Sequence, residues 1–338
     1  MNNPYVKTLE PVWKDLDYVA INEEKLQELI EKLKKGELKT PSWAVPNVHP
    51  LIDCKPALWI DFICWINTVN FAFTNFEPPY NKFTIEYPER TFWSGAFAMK
   101  ASFWRAYNEG SPILSPKDYR GTKYIDPGYM NRISMKEVRK LFQSTDSWHQ
   151  IPMIRERWKI FHEVGKVLLE KYNGSWGELF VKADFRAFNN GKGIVEQLVT
   201  NFPSFCDERM YKGHRLQFNK RAQLLVTMYH GRAINSGGGM PLIKDIEDIG
   251  PIADYTVPKA LKFLGVLEYS PELEKAIQSR KIFQPGEPEE VENRLAMSYV
   301  MKRICDEAGI TMDKADFCIW NMGRKSKEPH ILVPTTDY

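Results

Sequence analysis

The chain has 338 residues, of which 43% are hydrophobic and 13% aromatic, so it can bury a large core. Lys and Arg number 46 against 43 Asp and Glu, and the net charge of +3 excludes a broad basic surface for a stable nucleic-acid partner. The N-terminus lacks the apolar core of a signal peptide, and no run of about 18 apolar residues occurs, so we expect no membrane span.

Cysteine and histidine usage argues against a disulfide framework and against a metal site. The five cysteines are an odd number, and none of them form a Cys-x-x-Cys pair. The six histidines include no His-x-x-x-His pair, so no metal is expected. We therefore expect a reducing, cytoplasmic location. The chain contains no cofactor-binding motif, so we expect no cofactor.

Two helix signals occupy the first part of the chain. Asn22 can cap a helix whose apolar residues recur at the spacing of one buried face. That face comprises Leu26, Leu29, Ile30 and Leu33. Residues 57–73 are apolar nearly all round, which predicts a buried helix. Its Asp61, Asn67 and Asn70 would then need hydrogen-bond partners.

The middle and end of the chain predict one hairpin and a series of helices. Residues 82–93 predict a β-hairpin, because apolar and polar residues alternate before a turn at Pro88. Helical patterns follow at 95–108, 135–143, 152–172, 193–200, 217–230, 256–267, 271–280 and 288–308. The Gly-rich stretch 231–242 has no Gly-Lys-Ser/Thr ending, so we interpret it as a flexible connection. Together these signals predict one compact domain, residues 1–338, mainly α with a small β-sheet.

Asp254 is the first candidate for chemistry. It follows a Gly-Pro turn, and Pro258 fits only the first turn of the helix that comes next. A carboxylate fixed at a helix start can face a cationic transition state. Alternatively, it serves only as an N-cap that contributes about 1 kcal/mol. The expected apolar face of this helix comprises Leu261, Leu264 and Leu267, with Phe263 alongside.

Asp316 is the second candidate, with Phe317 beside it. Trp320 and Asn321 lie close to the same helical face, at i+4 and i+5. A carboxylate can accept from both the ring N–H and the exocyclic amine of a guanine-like base, while an aromatic ring stacks on the base. The alternative is a helix N-cap followed by core aromatic residues.

Lys220 and Arg221 form the third candidate. The two cations adjoin an apolar helix that must be largely buried, and buried cations usually have an anionic partner. That partner is either an internal carboxylate or a substrate phosphate, and the residues alone leave both open.

Taken together, a series of short segments resembles the queuosine 5′-phosphate N-glycosylases, also called queuosine salvage proteins. No single segment is specific, but they occur in the family order over residues 45–325. The segments are Ile66-Asn-Thr-Val-Asn-Phe-Ala-Phe73, Phe92-Trp-Ser-Gly95, Asn108-Glu-Gly-Ser-Pro-Ile113, Asn201-Phe-Pro-Ser-Phe205, Lys220-Arg-Ala-Gln-Leu-Leu-Val226, Ala253-Asp-Tyr255 with Pro258, Leu264-Gly265 with Tyr269-Ser270, Glu290-Val-Glu292 with Arg294, and Asp316-Phe-Cys-Ile-Trp320.

The resemblance implies a fold, a reaction and a site. The fold would be a helical body related to the helix-hairpin-helix DNA glycosylases. The reaction would be hydrolysis of the N-glycosidic bond of queuosine 5′-monophosphate, which releases queuine for reinsertion into tRNA. The family's key carboxylate would be Asp254, its base pocket would include Asp316 and Phe317, and an upstream histidine would be His49.

The chain departs from the family pattern at two positions. Ile252 stands where the family has an aromatic residue, and Asn321 where it has a second Asp. Loss of that negative charge puts in question which 7-deazaguanine the site prefers, because queuine carries a cationic amine arm. A DNA-repair glycosylase and a non-catalytic nucleotide- or tRNA-binding module are the alternative functions.

Overall fold

The computed structural model describes residues 2–45, 56–113, 124–145 and 150–338, and these residues are mainly helical. No described helix is long and apolar enough to cross a membrane. The α-helices, numbered in chain order, are α1 Val6–Leu9, α2 Glu23–Lys34, α3 Pro56–Thr68, α4 Ala96–Asn108, α5 Pro127–Met130, α6 Met135–Leu141, α7 Ile154–Lys171, α8 Trp176–Lys182, α9 Ile194–Asn201, α10 Lys220–Ile234, α11 Thr256–Phe263, α12 Pro271–Gln278, α13 Pro288–Ala308 and α14 Met312–Lys325.

The described strands form three two-stranded antiparallel sheets rather than one small sheet. The strands are β1 Val19–Ile21, β2 Thr84–Glu86, β3 Phe92–Ser94, β4 Glu208–Tyr211, β5 His214–Gln217 and β6 Leu267–Tyr269. β2 pairs with β3, which confirms the hairpin predicted at 82–93. β4 pairs with β5, and β1 pairs with β6 from the far end of the chain. The sequence predicted neither of these two pairings.

The helix predicted at 256–267 is too long at its C-terminal end. Helix α11 ends at Phe263, and Gly265 then adopts a φ of +73° that glycine tolerates best. Leu267 therefore belongs to β6 rather than to the helix face. The side chain of Phe263 is 61% exposed, so it does not join that apolar face either.

The buried helix predicted at 57–73 ends early, at Thr68. Beyond it, the guanidinium of Arg157 donates to the carbonyl oxygens of Val69, Phe71 and Ala72. The guanidinium of Arg221 likewise donates to the carbonyl oxygen of Thr68. Because side chains satisfy these carbonyls, the apolar segment can stay buried without being helical.

A buried ion pair positions the two segments that carry Lys220 and Asp254. The guanidinium of Arg294, on α13, donates to both carboxylate oxygens of Asp207, at 2.9 and 2.5 Å. Asp207 also accepts from the backbone N–H of Lys220 at 3.2 Å. Arg294 Nε donates to the carbonyl oxygen of Ala253, one residue before Asp254, at 3.1 Å. One side chain thus fixes the starts of both α10 and α11.

Helices α11 and α14 lie in close contact at Gly323. A Cβ built on this glycine would lie 2.4 Å from the carbonyl oxygen of Thr256, which is too short for any larger residue. This close approach brings the start of α11, where Asp254 lies, against the helix that carries Asp316.

Candidate active site

One cavity lies among helices α4, α10, α11 and α14 and encloses about 910 Å³, its open mouth included. Five of the predicted catalytic and substrate-binding residues line it together, and they are Lys220, Ile252, Asp254, Asp316 and Phe317. They come from three separate parts of the chain, so the fold itself gathers them.

Asp254 is buried, with 6% of its surface exposed, and it lines the cavity just before Tyr255, which is the N-cap residue of α11. Its Oδ1 atom accepts from the backbone N–H groups of Thr256 at 2.7 Å and Val257 at 2.9 Å. Both of these bonds use the same carboxylate oxygen. A role at the start of the helix and a role in catalysis therefore do not exclude each other, because only one of the two carboxylate oxygens is used by the backbone.

The turn before Asp254 is held by Gln223 of α10. The Oε1 atom of Gln223 accepts from the backbone N–H of Gly250 at 2.8 Å, and its Nε2 donates to the carbonyl oxygen of Pro251 at 3.3 Å. A side chain at Gly250 would meet that same Oε1 at 2.9 Å, so glycine is required there. These contacts fix the direction from which the chain enters α11.

Asp316 lies within α14, whose N-cap is Thr311, so the N-cap alternative for Asp316 is wrong. Its carboxylate is buried, and Oδ1 has no hydrogen-bond partner among the described residues. Burial raises the pKa of Asp316 well above its ordinary value, and the negative charges of Asp254 and Asp313 add to the rise while Lys220 opposes it. A buried acceptor that lacks a donor suits a ligand that brings donors.

Lys220 begins α10 and is buried in the cavity wall. Burial lowers the pKa of its ammonium group, whereas the attraction of Asp254 and Asp316 raises it. The negative charges of Asp254 and Asp316 thus both attract Lys220. Lys220 also lines the cavity, so it faces the space that a ligand would occupy.

Aromatic rings form one wall of the cavity. Phe317 stacks on Trp43 with ring centroids 4.0 Å apart and an interplanar angle of 21°. A Cβ at Gly231 of α10 would lie 2.0 Å from Cδ1 of Trp43, so this stack depends on a glycine behind it. Flat rings in a cleft with buried carboxylates are typical of sites that bind nucleobases.

Two predicted site residues are not among those that line the cavity. Asn321 is half-buried on α14 and is absent from the described residues around the cavity. His49 lies outside the described residues. Ile252 does line the cavity and is 2% exposed, so an aliphatic side chain occupies the position where the family has an aromatic one.

A protein-family model for "Queuosine salvage protein" matches residues 49–336. The chain belongs to this queuosine salvage family. A relative from Sphaerobacter thermophilus is 29% identical over 95% of this chain and 90% of its own length. Relatives from Bos taurus, at 32% identity over 90% and 87%, and from Mus musculus, at 30% over 89% of each chain, cover nearly as much. All three are named Queuosine 5'-phosphate N-glycosylase/hydrolase.

The segments that match the queuosine salvage family did not point to three cations at the cavity, Lys82, Lys100 and Arg324. Lys100 follows four apolar residues of α4, Ala96 to Met99, where a lone lysine could have been noticed. Arg324 lies in the last turn of α14, where a basic residue is ordinary because it complements the helix dipole. Only the fold reveals that both side chains share the cavity with Asp254.

Proposed function

We propose that this chain hydrolyses the N-glycosidic bond of queuosine 5′-monophosphate and releases the 7-deazaguanine base queuine for salvage into tRNA. The observation that carries the proposal is that Asp254 and Asp316 line one aromatic-walled cavity in a chain of the queuosine salvage family. The names of its relatives support the same reaction. The reaction is a hydrolysis that needs no cofactor.

Asp254 is the proposed catalytic residue. Cleavage of an N-glycosidic bond passes through an oxocarbenium-like state at C1′, and a carboxylate on the ribose face can stabilise or attack that carbon. The backbone donors on Oδ1 hold the carboxylate in one orientation. Its burial removes competing water and strengthens the charge interaction.

Asp316 and Phe317 are the proposed base-binding residues, with Ile252 at the cavity wall. A 7-deazapurine lacks N7, so the departing base cannot be protonated there and must be stabilised through its other edges. The carboxylate of Asp316, whose Oδ1 has no hydrogen-bond partner among the described residues, can accept from the two donors of a guanine edge. The stacked rings of Phe317 and Trp43 offer an apolar face to the ring. We also retain His49 and Asn321 as proposed substrate-binding residues on the resemblance alone.

The reaction itself is tested with purified protein, queuosine 5′-monophosphate and queuosine. We expect release of queuine from the nucleotide, followed by chromatography, with the nucleoside reacting more slowly. Binding without turnover would instead support a non-catalytic nucleotide-binding module. Release of a base from duplex DNA, with the nucleotide left intact, would support a DNA-repair glycosylase.

Lys220→Ala is expected to reduce the preference for nucleotide over nucleoside by about tenfold or more, the scale of a charge-assisted hydrogen bond in a buried site. The reason is that Lys220 is a buried cation facing the cavity. The measurement is the ratio of the two kcat/KM values. If Lys220 only balances Asp254 and Asp316, both substrates should lose rate equally and the ratio should stay unchanged.

We also propose that residues 1–338 form one N-glycosylase domain whose helical core is related to the helix-hairpin-helix DNA glycosylases. A continuous cluster of buried apolar residues, running from Leu9 to Tyr338, supports a single domain. Limited proteolysis that yields two stable fragments would contradict it.

We propose a cytoplasmic protein whose partner is the small-molecule nucleotide, with no stable nucleic-acid partner.

A further inference from the structure

Two cations of the cavity have no anionic partner among the residues that the structure describes. Lys100, on α4, is 3% exposed, and Arg324, on α14, is half-buried. Among the described residues, neither side chain has a hydrogen-bond or ion-pair partner. Both instead lie over the ring of Phe97, with Lys100 Nζ 5.1 Å and Arg324 Cζ 3.9 Å from the ring centroid. A shared aromatic ring brings the two charges into one corner of the cavity.

Aromatic contacts alone do not offset the burial of these charges. A cation over an aromatic ring gains less free energy than an unpaired ammonium group loses on burial. Burial lowers the pKa of Lys100 well below its ordinary value, and the neighbouring charges of Arg324 and Lys220, both positive, lower it further. An anion bound beside these two cations would therefore offset the cost of burying them.

Other buried cations of this chain show the contrast. Arg294 is fully buried and donates to both carboxylate oxygens of Asp207. Arg157 and Arg221 donate to backbone carbonyl oxygens. Lys220 is attracted by Asp254 and Asp316. Lys100 and Arg324 have no comparable partner, although they line the same cavity as those two carboxylates.

We propose that Lys100 and Arg324 form an anion subsite that, together with Lys220 in the same cavity, holds the 5′-phosphate of the substrate. The identity of the ligand rests on the proposed function, since the phosphate is the anionic group of queuosine 5′-monophosphate. A guanidinium can bind two phosphate oxygens at once, and an ammonium group adds a point charge beside it. Lys82, exposed at the cavity mouth, adds a third positive charge near Arg324.

The subsite is first tested with inorganic phosphate, which requires no turnover. Titration calorimetry at constant ionic strength should detect binding to the parent protein, and Lys100→Met should weaken it by about tenfold or more. Methionine keeps the unbranched apolar stem without the charge. The matched control is Lys32→Met, an exposed helical lysine on α2 outside the cavity, which should bind phosphate like the parent.

The second arm compares the nucleotide with the nucleoside. Lys100→Met should raise KM for queuosine 5′-monophosphate about tenfold or more and leave kcat/KM for queuosine within about threefold of the parent. Arg324→Gln should act in the same direction. Because Arg324 is only half-buried, we expect Arg324→Gln to fold, and it can replace Lys100→Met in the experiment if that variant does not fold.

The outcomes separate this inference from the proposed function. If phosphate binding is lost in Lys100→Met or Arg324→Gln but the parent does not hydrolyse the nucleotide, the subsite stands and the proposed function fails. If the nucleotide is hydrolysed while both variants bind phosphate like the parent, the subsite is wrong. Equal losses for nucleotide and nucleoside, or an equal loss of phosphate binding in Lys32→Met, would also overturn it.

Discussion

Asp254→Asn is expected to lower kcat for queuosine 5′-monophosphate by at least ~100-fold, the scale of removing one well-placed electrostatic group. Asparagine keeps the shape of the side chain and an oxygen that can still accept from the backbone N–H groups of Thr256 and Val257. The substitution removes the negative charge that would face the developing oxocarbenium ion. The melting temperature and the affinity for queuine should therefore change little.

Asp245→Asn is the matched control for this experiment. Asp245 is also buried, and its carboxylate accepts from the backbone N–H groups of Ala187 at 2.7 Å and Phe188 at 3.0 Å, away from the cavity. This control should lose stability but keep kcat. If Asp254→Asn retains more than about a tenth of parental kcat, the loss is only about 1.4 kcal/mol in barrier, and the catalytic role is refuted.

Local features of the fold were predictable from the sequence because neighbouring residues determine them. Asn22 accepts from the backbone N–H of Lys25 and caps α2 as expected. Ser134 and Glu137 form the capping box at the start of α6. These signals depend only on hydrogen bonds within one helical turn, so no knowledge of the tertiary fold is needed.

Features that join distant parts of the chain were not predictable. Strand β1 pairs Val19 with Tyr269, and nothing in the short apolar sequence around Val19 identifies that partner. The Arg294–Asp207 pair that fixes the starts of α10 and α11 links residues 87 positions apart. The resemblance marked Arg294 as part of a matching segment but gave it no role.

The candidate site was predictable to the extent that its residues belong to family segments. The positions of Asp254, Lys220 and Asp316 could be taken from such segments, and the fold places them around one cavity. Lys100 and Arg324 carry no such mark. Their proposed role depends on the lack of an anionic partner among the described residues of the folded chain, and a sequence alone does not show such a lack.

Asp316→Asn carries the second large expected effect, and it acts on binding of the base. The amide would offer an N–H group where the base also offers donors, and one donor of the base would stay unpaired in a buried site. The cost is about 1–3 kcal/mol, or roughly 5- to 150-fold in affinity for queuine. Calorimetric titration measures it, and near-normal affinity would contradict a role in reading the base edge.

The pH dependence of binding follows from the raised pKa of Asp316. A guanine-like edge needs the ionised carboxylate as its acceptor, whereas burial and the charges of Asp254 and Asp313 favour the protonated form of Asp316. Below the raised pKa, affinity should therefore increase with pH, by up to about tenfold per unit. Titration with 7-deazaguanine, which has no amine arm, isolates this effect. A flat profile in the parent protein would contradict it.

The stability of the folded protein should change with pH in the direction opposite to the affinity for the base. This difference separates a functional role for Asp316 from a structural one. The folded protein holds a proton on Asp316 that the unfolded chain releases at the ordinary pKa of Asp, so this group loses stability as pH rises between the two values. Asp316→Asn should remove this loss of stability, because asparagine does not titrate. The melting temperature of the variant relative to the parent should thus increase from about pH 4 upward, while base affinity falls. A variant that is less stable at every pH would instead show that Asp316 serves the fold.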